Sequence, residues 1–326
     1  MRFSEAQLDR LRAVSPTLAV TCAEADRADY SKIDVLYTGM PPRDLARASA
    51  LKWVQLHMAG VNALHDHPLY TSSALPLTTT SGVHAATIAE YALTVLLALA
   101  HRVPRMVEWQ GRGGWPPDAE RWPLFVPTEV RGATLGIIGY GSIGRELARM
   151  ATTALGMRVV ALKRTPAQRV DPDYCPPGTG DPEGLLPERW LGPDGLPELL
   201  EQSDVVVLAA PLTDQTRGMI GAAELGRMKP SAYFINVGRG ASVDEAALVH
   251  ALRERRIAGA AIDVFTEEPP AAGHPLYACD NAIVSPHVSG FLPSYDDRCA
   301  DLFAENLRRW LAGAPLLNRV DRARGY

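Results

Sequence analysis

Residues 134–149 read Thr-Leu-Gly-Ile-Ile-Gly-Tyr-Gly-Ser-Ile-Gly-Arg-Glu-Leu-Ala-Arg. The apolar run 135–138 predicts a buried parallel strand, and a helical pattern follows the glycines. Between them lies a G-x-G-x-x-G motif formed by Gly139, Gly141 and Gly144. The first glycine permits a tight turn, the second lets the backbone approach a pyrophosphate, and the third lets the helix pack closely on the strand. This order of strand, turn and helix predicts a dinucleotide site at the helix N-terminus.

The end of the next predicted strand bears on the choice between NAD and NADP. The helix is predicted to end at Gly156, and Arg158–Leu162 is predicted as the second strand. In an NAD site, an acid about 20 residues after the glycines binds the ribose 2′-hydroxyl. Lys163, Arg164 and Thr165 stand at this strand end instead, and cations with a hydroxyl suit a 2′-phosphate. We therefore predict NADP, with NADPH preferred and NAD as the alternative. The competing interpretation is that both cations are merely solvated.

Composition and charge exclude several classes of function. The chain has 326 residues, 47% of them apolar, which suffices for two globular domains. Its net charge of −4, without a basic block, argues against nucleic acid as a partner. The longest apolar stretch, 92–100, is too short to span a membrane. Four cysteines without C-x-x-C pairing, and an N-terminus unlike a signal peptide, predict a cytoplasmic protein.

Strands and helices alternate along the chain, which is typical of the α/β class. After the glycine motif, strands are predicted at 204–209, 233–237, 259–264 and 282–285, with helices at 196–202, 222–228 and 244–255. Earlier strands are predicted at 18–21, 35–38, 54–57 and 77–80, with helices at 4–13 and 85–100. We predict two doubly wound domains. A smaller flavodoxin-like substrate domain spans 1–100 plus 291–326, and a Rossmann nucleotide-binding domain spans 101–290.

Three of the predicted strands end in residues that can act together. Arg239 follows the strand at 233–237, Glu268 follows the strand at 259–264, and His287 follows the strand at 282–285. Ligands of parallel sheets bind outside the carboxyl ends of the strands, so these side chains should converge. A guanidinium binds a carboxylate bidentately, an imidazole moves a proton near neutral pH, and a neighbouring carboxylate fixes the tautomer of the imidazole. Each residue alone could be an ordinary polar side chain, but together they predict an active site.

The chain resembles the D-isomer-specific 2-hydroxyacid dehydrogenases, the family of phosphoglycerate dehydrogenase and glyoxylate/hydroxypyruvate reductase. The matching blocks lie between 51 and 290 and include, besides the glycine motif, Ala59-Gly-Val61, Ser81-Gly-Val-His-Ala, Asn236-Val-Gly-Arg-Gly240, Glu268-Pro269 and Pro286-His-Val-Ser-Gly290. The resemblance implies an oxidoreductase that transfers a hydride between NADP(H) and a small D-2-hydroxy acid or 2-oxoacid, working as a 2-oxoacid reductase. It also implies a homodimer formed by the nucleotide domains and the segment 101–125, where Trp109, Trp115 and Trp122 are expected to pack.

The resemblance also implies roles for the three strand-end residues. His287 resembles the acid/base that protonates the substrate oxygen during reduction. Glu268 resembles its carboxylate partner, and the E-P register favours it over the adjacent Glu267. Arg239 resembles the residue that binds the substrate carboxylate and carbonyl.

Further contacts with substrate and cofactor follow from the same resemblance. The backbone amides of Gly60 and Val61 resemble a second clamp on the substrate carboxylate. Asp263 resembles the residue that hydrogen-bonds the nicotinamide carboxamide. The complete set of predicted cofactor residues is Gly139, Tyr140, Gly141, Ser142, Ile143, Gly144, Lys163, Arg164, Thr165, Ala210, Pro211, Thr216, Val237, Gly238, Arg239, Asp263, His287 and Gly290.

Several alternatives stay open from the sequence. One is a formate or phosphite dehydrogenase of the same fold, and another is a catalytically silent, dinucleotide-sensing corepressor-like protein. The intact Glu268–His287 pair favours a hydroxyacid, because a proton must be delivered to an alkoxide. No metal site is predicted, since His65 and His67 lack a third ligand and are expected in a solvated loop. The family usually has a strand before its first helix, so either that strand is missing here or the true start lies upstream.

Overall fold

The computed structural model describes residues 2–24 and 27–326 and divides into two compact units. The first unit comprises Met1–His84, Pro172–Pro176 and Phe291–Tyr326, and the second comprises Ala85–Asp171 and Pro177–Gly290. The sequence prediction assigned the helix at 85–100 to the first domain, whereas the structure groups it with the second unit. The reason is packing, because Ile88 and Leu96 of this helix share one buried cluster with Leu147 and Ile235.

The helices and strands of the described residues follow the predicted alternation. The helices are α1 (Glu5–Arg12), α2 (Pro68–Thr71), α3 (Ala85–Ala100), α4 (Val103–Gly111), α5 (Asp118–Phe125), α6 (Ser142–Leu155), α7 (Leu196–Gln202), α8 (Ala222–Arg227), α9 (Glu245–Arg253) and α10 (Tyr295–Leu311). The strands are β1 (Val35–Thr38), β2 (Trp53–Leu56), β3 (Leu77–Thr78), β4 (Thr134–Ile138), β5 (Arg158–Leu162), β6 (Arg189–Leu191), β7 (Val205–Leu208), β8 (Tyr233–Asn236), β9 (Gly259–Ile262) and β10 (Ala282–Val284).

The first unit is built on a parallel sheet in the order β1-β2-β3. Helix α1 begins as predicted, since Ser4 and Gln7 form a reciprocal capping box. Leu8 and Leu11 of α1 pack in one cluster with Phe303 of α10. The predicted strand at 18–21 is wrong: Leu18 and Val20 pack against that cluster, but their backbone joins no sheet. An alternating pattern of apolar residues does not form a strand unless a neighbouring strand hydrogen-bonds to its backbone.

The second unit holds a seven-stranded parallel sheet in the order β10-β9-β8-β7-β4-β5-β6. Strand β4, the first of this sheet in the chain, lies in the middle. Strands β5 and β6 extend the sheet to one edge, and β7 to β10 extend it to the other edge. The switch point lies between β4 and β7, and their carboxyl ends are where open α/β sheets bind ligands. This arrangement confirms the predicted Rossmann-type α/β fold. Strand β6 was not predicted, because its three residues lie in the Pro- and Gly-rich excursion 166–193.

Apolar residues cover both faces of the larger sheet. Ile138, Val206 and Phe234 face one buried cluster, and Ile137 and Ile235 face the other. Neighbouring residues of one strand thus point to opposite faces, as the pleat of a strand requires.

No single helix within residues 2–24 and 27–326 has the length and apolar character needed to cross a membrane. Helices α3 and α4 meet that criterion only as a pair, and they are bent by 64° at their junction.

Candidate active site

The turn between β4 and α6 has the geometry that the glycine motif predicts. Gly139 takes a left-handed φ of 97°, and a Cβ there would lie 2.6 Å from the Cα of Ala210. A Cβ on Gly144 would lie 2.6 Å from the carbonyl oxygen of Gly139, so close packing excludes a side chain at both positions. A Cβ on Gly141, in contrast, would meet no described atom within 4 Å. This open space at the N-terminus of α6 fits the predicted pyrophosphate.

Tyr140, inside the glycine motif, is buried, and its hydroxyl donates to Oδ2 of Asp181 at 2.8 Å. Burial, together with the charge of Asp181, raises the pKa of Tyr140 far above its ordinary value, so the phenol stays protonated. The backbone carbonyl of Asp181 also accepts a hydrogen bond from the buried Arg145 of α6. Ser142 and Ile143, in the first turn of this helix, are half-buried. The excursion after β5 therefore holds the glycine turn and its helix together.

Lys163, Arg164 and Thr165 directly follow β5, the neighbour of β4. Lys163 is held at the strand end, because its amide donates to Leu191 and its Nζ donates to the carbonyl of Gln168, both at 2.9 Å. Both cations are half-buried, and Thr165 is exposed. The structure thus places two cations and a hydroxyl at the edge of the sheet that carries the glycine turn.

Ala210, Pro211 and Thr216 lie in the loop that follows β7, the other neighbour of β4. Oγ1 of Thr216 donates to the carbonyl of Pro211 at 2.6 Å, so the loop closes on itself. Val237 extends β8 by one more hydrogen bond, from its amide to Leu208 at 3.1 Å. Because the backbone of Ala210 lies against Gly139, this loop lies beside the predicted dinucleotide site.

The turn after β8 is shaped by Asn236, a residue to which the sequence assigned no role. Its Oδ1 accepts from the amide of Gly238 at 3.0 Å, and its Nδ2 donates to the carbonyl of Arg239 at 3.1 Å. A Cβ on Gly240 would lie 1.9 Å from the carbonyl carbon of Phe265, so only glycine fits there. The turn thereby fixes the backbone of Arg239 at the carboxyl end of β8.

The guanidinium of Arg239 is partly buried, and its Nη1 donates to the carbonyl of Gly238 at 2.7 Å. Burial lowers the pKa of Arg239 below its ordinary value, and the negative charge of Glu268 opposes this shift. An arginine remains protonated under these conditions. A poorly solvated cation of this kind gains most from a bound carboxylate.

His287 and Glu268 form a close side-chain pair in the site. Nδ1 of His287 lies 2.7 Å from Oε2 of Glu268, and the other carboxylate oxygen accepts from the amide of Phe265 at 2.9 Å. The side chain of His287 is 50% exposed, and no described residue hydrogen-bonds its Nε2. Glu268 therefore orients the ring through one nitrogen and leaves the other for a ligand.

Asp263 is fully buried, and its carboxylate holds the loop that carries His287. Oδ1 accepts from the hydroxyl of Ser285 at 2.5 Å and from the amide of Val288 at 2.9 Å. Oδ2 accepts from the amide of Ser289 at 3.1 Å, just before Gly290. The resemblance suggested only a cofactor contact for Asp263, so this anchoring role is a finding of the structure.

Glu245 is a further residue that the sequence prediction missed. Its two carboxylate oxygens lie 2.6 Å from the amide of Thr266 and 3.0 Å from Nε2 of His274. These bonds fasten both ends of the loop that contains Glu268. Nothing in the local sequence could reveal them, because the partners are 21 and 29 residues away.

Gly60 and Val61 belong to the first unit and follow β2. Val61 is 2% exposed, and its carbonyl accepts from the amide of Leu64 at 2.8 Å. Gly60 is half-buried. Their contact with a substrate carboxylate stays a prediction.

His67 corrects the expectation of a solvated loop. Its ring is buried, with Nε2 against the carbonyl of Pro41 at 3.1 Å and Nδ1 accepting from the amide of Leu69 at 3.1 Å. The histidine therefore caps α2.

The comparisons with known proteins agree with one another. Residues 93–289 match the sequence model of the D-isomer specific 2-hydroxyacid dehydrogenase NAD binding domain. The chain is 35% identical to the glyoxylate reductase of Aeropyrum pernix over 302 residues, which cover 89% of this chain and 83% of that protein.

Two solved structures are similar over nearly the whole chain. The first is a D-isomer specific 2-hydroxyacid dehydrogenase from Xanthobacter autotrophicus Py2 in complex with NADPH and MES, with 32% identity, a TM-score of 0.80 and coverage of 99% of this chain and 96% of that one. The second is an NADPH-dependent glyoxylate/hydroxypyruvate reductase from Sinorhizobium meliloti in complex with NADP and sulfate, with 25% identity, a TM-score of 0.76 and coverage of 99% and 97%.

Proposed function

Since the chain belongs to the D-isomer specific 2-hydroxyacid dehydrogenase family, we propose that it is an NADP(H)-dependent reductase of small 2-oxoacids of the glyoxylate or hydroxypyruvate type. The observation that carries this proposal is the pair of His287 and Glu268 at 2.7 Å, at the same edge of the sheet as Arg239. The second unit is proposed as the nucleotide-binding domain and the first as the substrate domain.

Each residue of the proposed site has a distinct task. Arg239 binds the substrate carboxylate through its planar guanidinium and orients the carbonyl group. When bound, the nicotinamide supplies the hydride that reduces substrate C2. His287, protonated on both nitrogens, gives its Nε2 proton to the substrate oxygen as negative charge develops there. Glu268 stabilises the protonated ring and keeps its orientation, and Asp263 holds the loop on which the ring stands.

NADP is the proposed cofactor, with NAD as the alternative. Gly141 leaves open space for the pyrophosphate at the start of α6, as the fit of a dinucleotide requires. Lys163, Arg164 and Thr165 offer charge-assisted and neutral hydrogen bonds to a ribose 2′-phosphate. The bound NADPH and NADP of the two similar structures support the same choice.

The direct test is an assay of NADPH oxidation with glyoxylate, hydroxypyruvate and bulkier 2-oxoacids, alongside formate and phosphite oxidation with NADP. Turnover of a 2-oxoacid, lost in His287→Ala and kept in a variant of the exposed His250, supports the proposal. Oxidation of formate or phosphite without reduction of any 2-oxoacid contradicts it. Cofactor binding without turnover of any of these substrates contradicts it as well.

We further propose a homodimer that uses α4, α5 and the turn between them. Five apolar side chains of this segment are exposed: Val103 at 39%, Met106 at 43%, Val107 at 60%, Trp115 at 81% and Trp122 at 75%. Clustered exposed aromatic and apolar residues are typical of protein interfaces. Sedimentation equilibrium should give twice the chain mass, and Trp122→Glu should give monomers. A monomeric wild-type protein at micromolar concentration contradicts the proposal.

A cytoplasmic location is proposed on the basis of the cysteines. Within the described residues, which include all four, no disulfide is formed. Reduced thiols are typical of cytosolic proteins. Cell fractionation with an antibody against the chain tests this, and recovery in a secreted or membrane fraction contradicts it.

A further inference from the structure

A cavity of about 430 Å³ lies at the amino ends of β8 and β9, at the opposite edge of the sheet from Arg239 and His287. Its walls come from the start of α4, from the segment around α5, and from the residues just before the two strands. The exposed apolar residues of α4 and α5 that we assign to the homodimer interface do not line this cavity. We call it the basic cavity and define it by its polar lining residues Arg102, Arg105, Thr128, Ser231 and Arg255. Nothing in the proposed reductase reaction uses these side chains.

The basic cavity has an excess of positive charge. Its described lining contains three arginines and no acid. Two carboxylates outside the lining pair with two of these arginines: Asp280 lies 3.1 Å from Arg105 and 2.7 Å from Arg255, and Glu108 lies 2.9 Å from Arg105. No described carboxylate lies within ion-pair distance of Arg102. The cavity therefore lacks a negative partner for at least one guanidinium.

Asp280 keeps two of the three guanidinium groups in place. Burial raises the pKa of Asp280, but the hydrogen bonds and charges of Arg255 and Arg105 outweigh burial and hold that pKa below its ordinary value. The carboxylate therefore stays ionised near neutral pH and orients both arginines. Pre-oriented donors lose less conformational freedom when a ligand binds.

The backbone supplies an independent observation. Arg102 and Arg255 have left-handed φ angles of 58° and 53°, which residues with a Cβ rarely adopt. Glycine is the ordinary residue at such positions, as Gly156 with φ 59° shows at the end of α6. The turns themselves do not need an arginine side chain. A left-handed backbone conformation costs free energy at a residue with a Cβ, and both of these arginines lie at one cavity. This cost indicates that their guanidinium groups have a function.

We propose that the basic cavity binds a small anion that carries two or more carboxylate or phosphate groups. Guanidinium groups match the oxygen pairs of both chemistries. Ser231 adds a hydroxyl donor, and so does Thr128, whose Oγ1 already accepts from Tyr233 at 3.2 Å. The volume lies within the range of small-molecule sites. Because Arg102 and Arg105 stand at the start of α4 and Arg255 at the end of α9, the anion ties these two helices together.

Calorimetric titration with pyrophosphate and with citrate tests this proposal. It is done at constant ionic strength and with saturating NADPH, so that phosphate groups do not compete for the cofactor site. We expect saturable binding of at least one of the two, and the stronger ligand identifies phosphate or carboxylate as the natural chemistry. Acetate at the same concentration should give no heat of binding.

Arg102→Gly is the decisive variant. It removes the guanidinium and relaxes the left-handed backbone, so the protein should fold at least as stably as the wild type while its affinity for the anion falls at least about tenfold. Arg253→Gln, which removes an exposed arginine of α9 outside the cavity, should bind like the wild type. Reductase activity in the absence of the anion should be unchanged in both.

Three results would overturn the proposal. The first is the absence of saturable binding of pyrophosphate and citrate by the wild type. The second is equal affinity of Arg102→Gly and Arg253→Gln. The third is a loss of binding in Lys163→Asp, which would place the anion at the cofactor site. None of these results bears on the reductase reaction, so the two proposals fail separately.

Discussion

The buried carboxylate of Asp263 accepts a hydrogen bond from the amide of Val288, the residue that follows His287, at 2.9 Å. Asp263 also accepts from Ser285 and Ser289, so its two oxygens hold both sides of the histidine. The position of His287, the proposed acid, therefore depends on Asp263, which follows the neighbouring strand β9.

Asp263→Asn should lower the free energy of unfolding by about 2 kcal/mol, even without cofactor. The new NH₂ group must face an N–H or O–H donor of the loop, whichever way the amide is turned. Urea denaturation of the apoprotein measures the change. Asp214→Asn, at an exposed aspartate of the same unit, should have almost no effect. Equal stability of the two variants would leave Asp263 with a role toward ligands only.

His287→Ala should lower kcat for a 2-oxoacid by at least ~10²-fold, because the general acid is lost. The dissociation constant of NADPH should change little, since the glycine turn and β5 remain intact. Steady-state kinetics and fluorescence titration of NADPH measure the two effects. His250→Ala is the matched control, because His250 is exposed on α9. Near-normal turnover of His287→Ala would remove the histidine from its proposed role.

Arg239→Lys should reduce kcat/KM at least about tenfold for every 2-oxoacid tested. Lysine keeps the charge but loses the planar pair of donors that meets a carboxylate. Arg227→Lys is the control, because Arg227 forms an exposed ion pair with Glu201 on the surface. If Arg239→Lys behaves like this control, the substrate carboxylate binds elsewhere.

NADPH should be preferred over NADH in kcat/KM, and Lys163→Asp combined with Arg164→Ala should reverse the preference. A 2′-phosphate carries about −1.5 to −2 charges at neutral pH, by analogy with phosphorylated side chains. One charge-assisted hydrogen bond of about 1.5 kcal/mol already gives roughly tenfold discrimination. The preference should shrink as ionic strength rises, because salt screens exposed charges. Equal efficiency of the wild type with NADH would show that Lys163 and Arg164 do not bind the phosphate.

Cys22 should react with iodoacetamide long before Cys299. Cys22 is exposed, whereas burial raises the pKa of the Cys299 thiol to about 11, against the hydrogen bonds of Tyr37 and Tyr295 that lower it. The reactive thiolate of Cys299 is therefore scarce near pH 8 and grows only toward alkaline pH. Peptide mass spectrometry of timed reactions measures both rates. Labelling of Cys299 as fast as that of Cys22 in the folded protein would contradict this expectation.

Much of the second unit follows from local sequence. The apolar strands at 135–138 and 158–162, the glycine turn and the capped helices are read from patterns within one or two turns of chain. The three strand ends with Arg239, Glu268 and His287 were found in the same way, because parallel strands bring their carboxyl ends to one edge. The structure places Glu268 rather than Glu267 against His287.

The sequence by itself determined the α/β alternation, the dinucleotide motif and the residues of the proposed reaction, since these depend on strand and helix periods and on glycine's backbone freedom. Only the tertiary structure decided that α3 packs with the second unit, that 18–21 joins no sheet, and that Asp263 and Glu245 anchor the loops of the site. The physical reason is that hydrogen bonds and packing between distant residues depend on the path of the whole chain. A local sequence pattern does not specify that path.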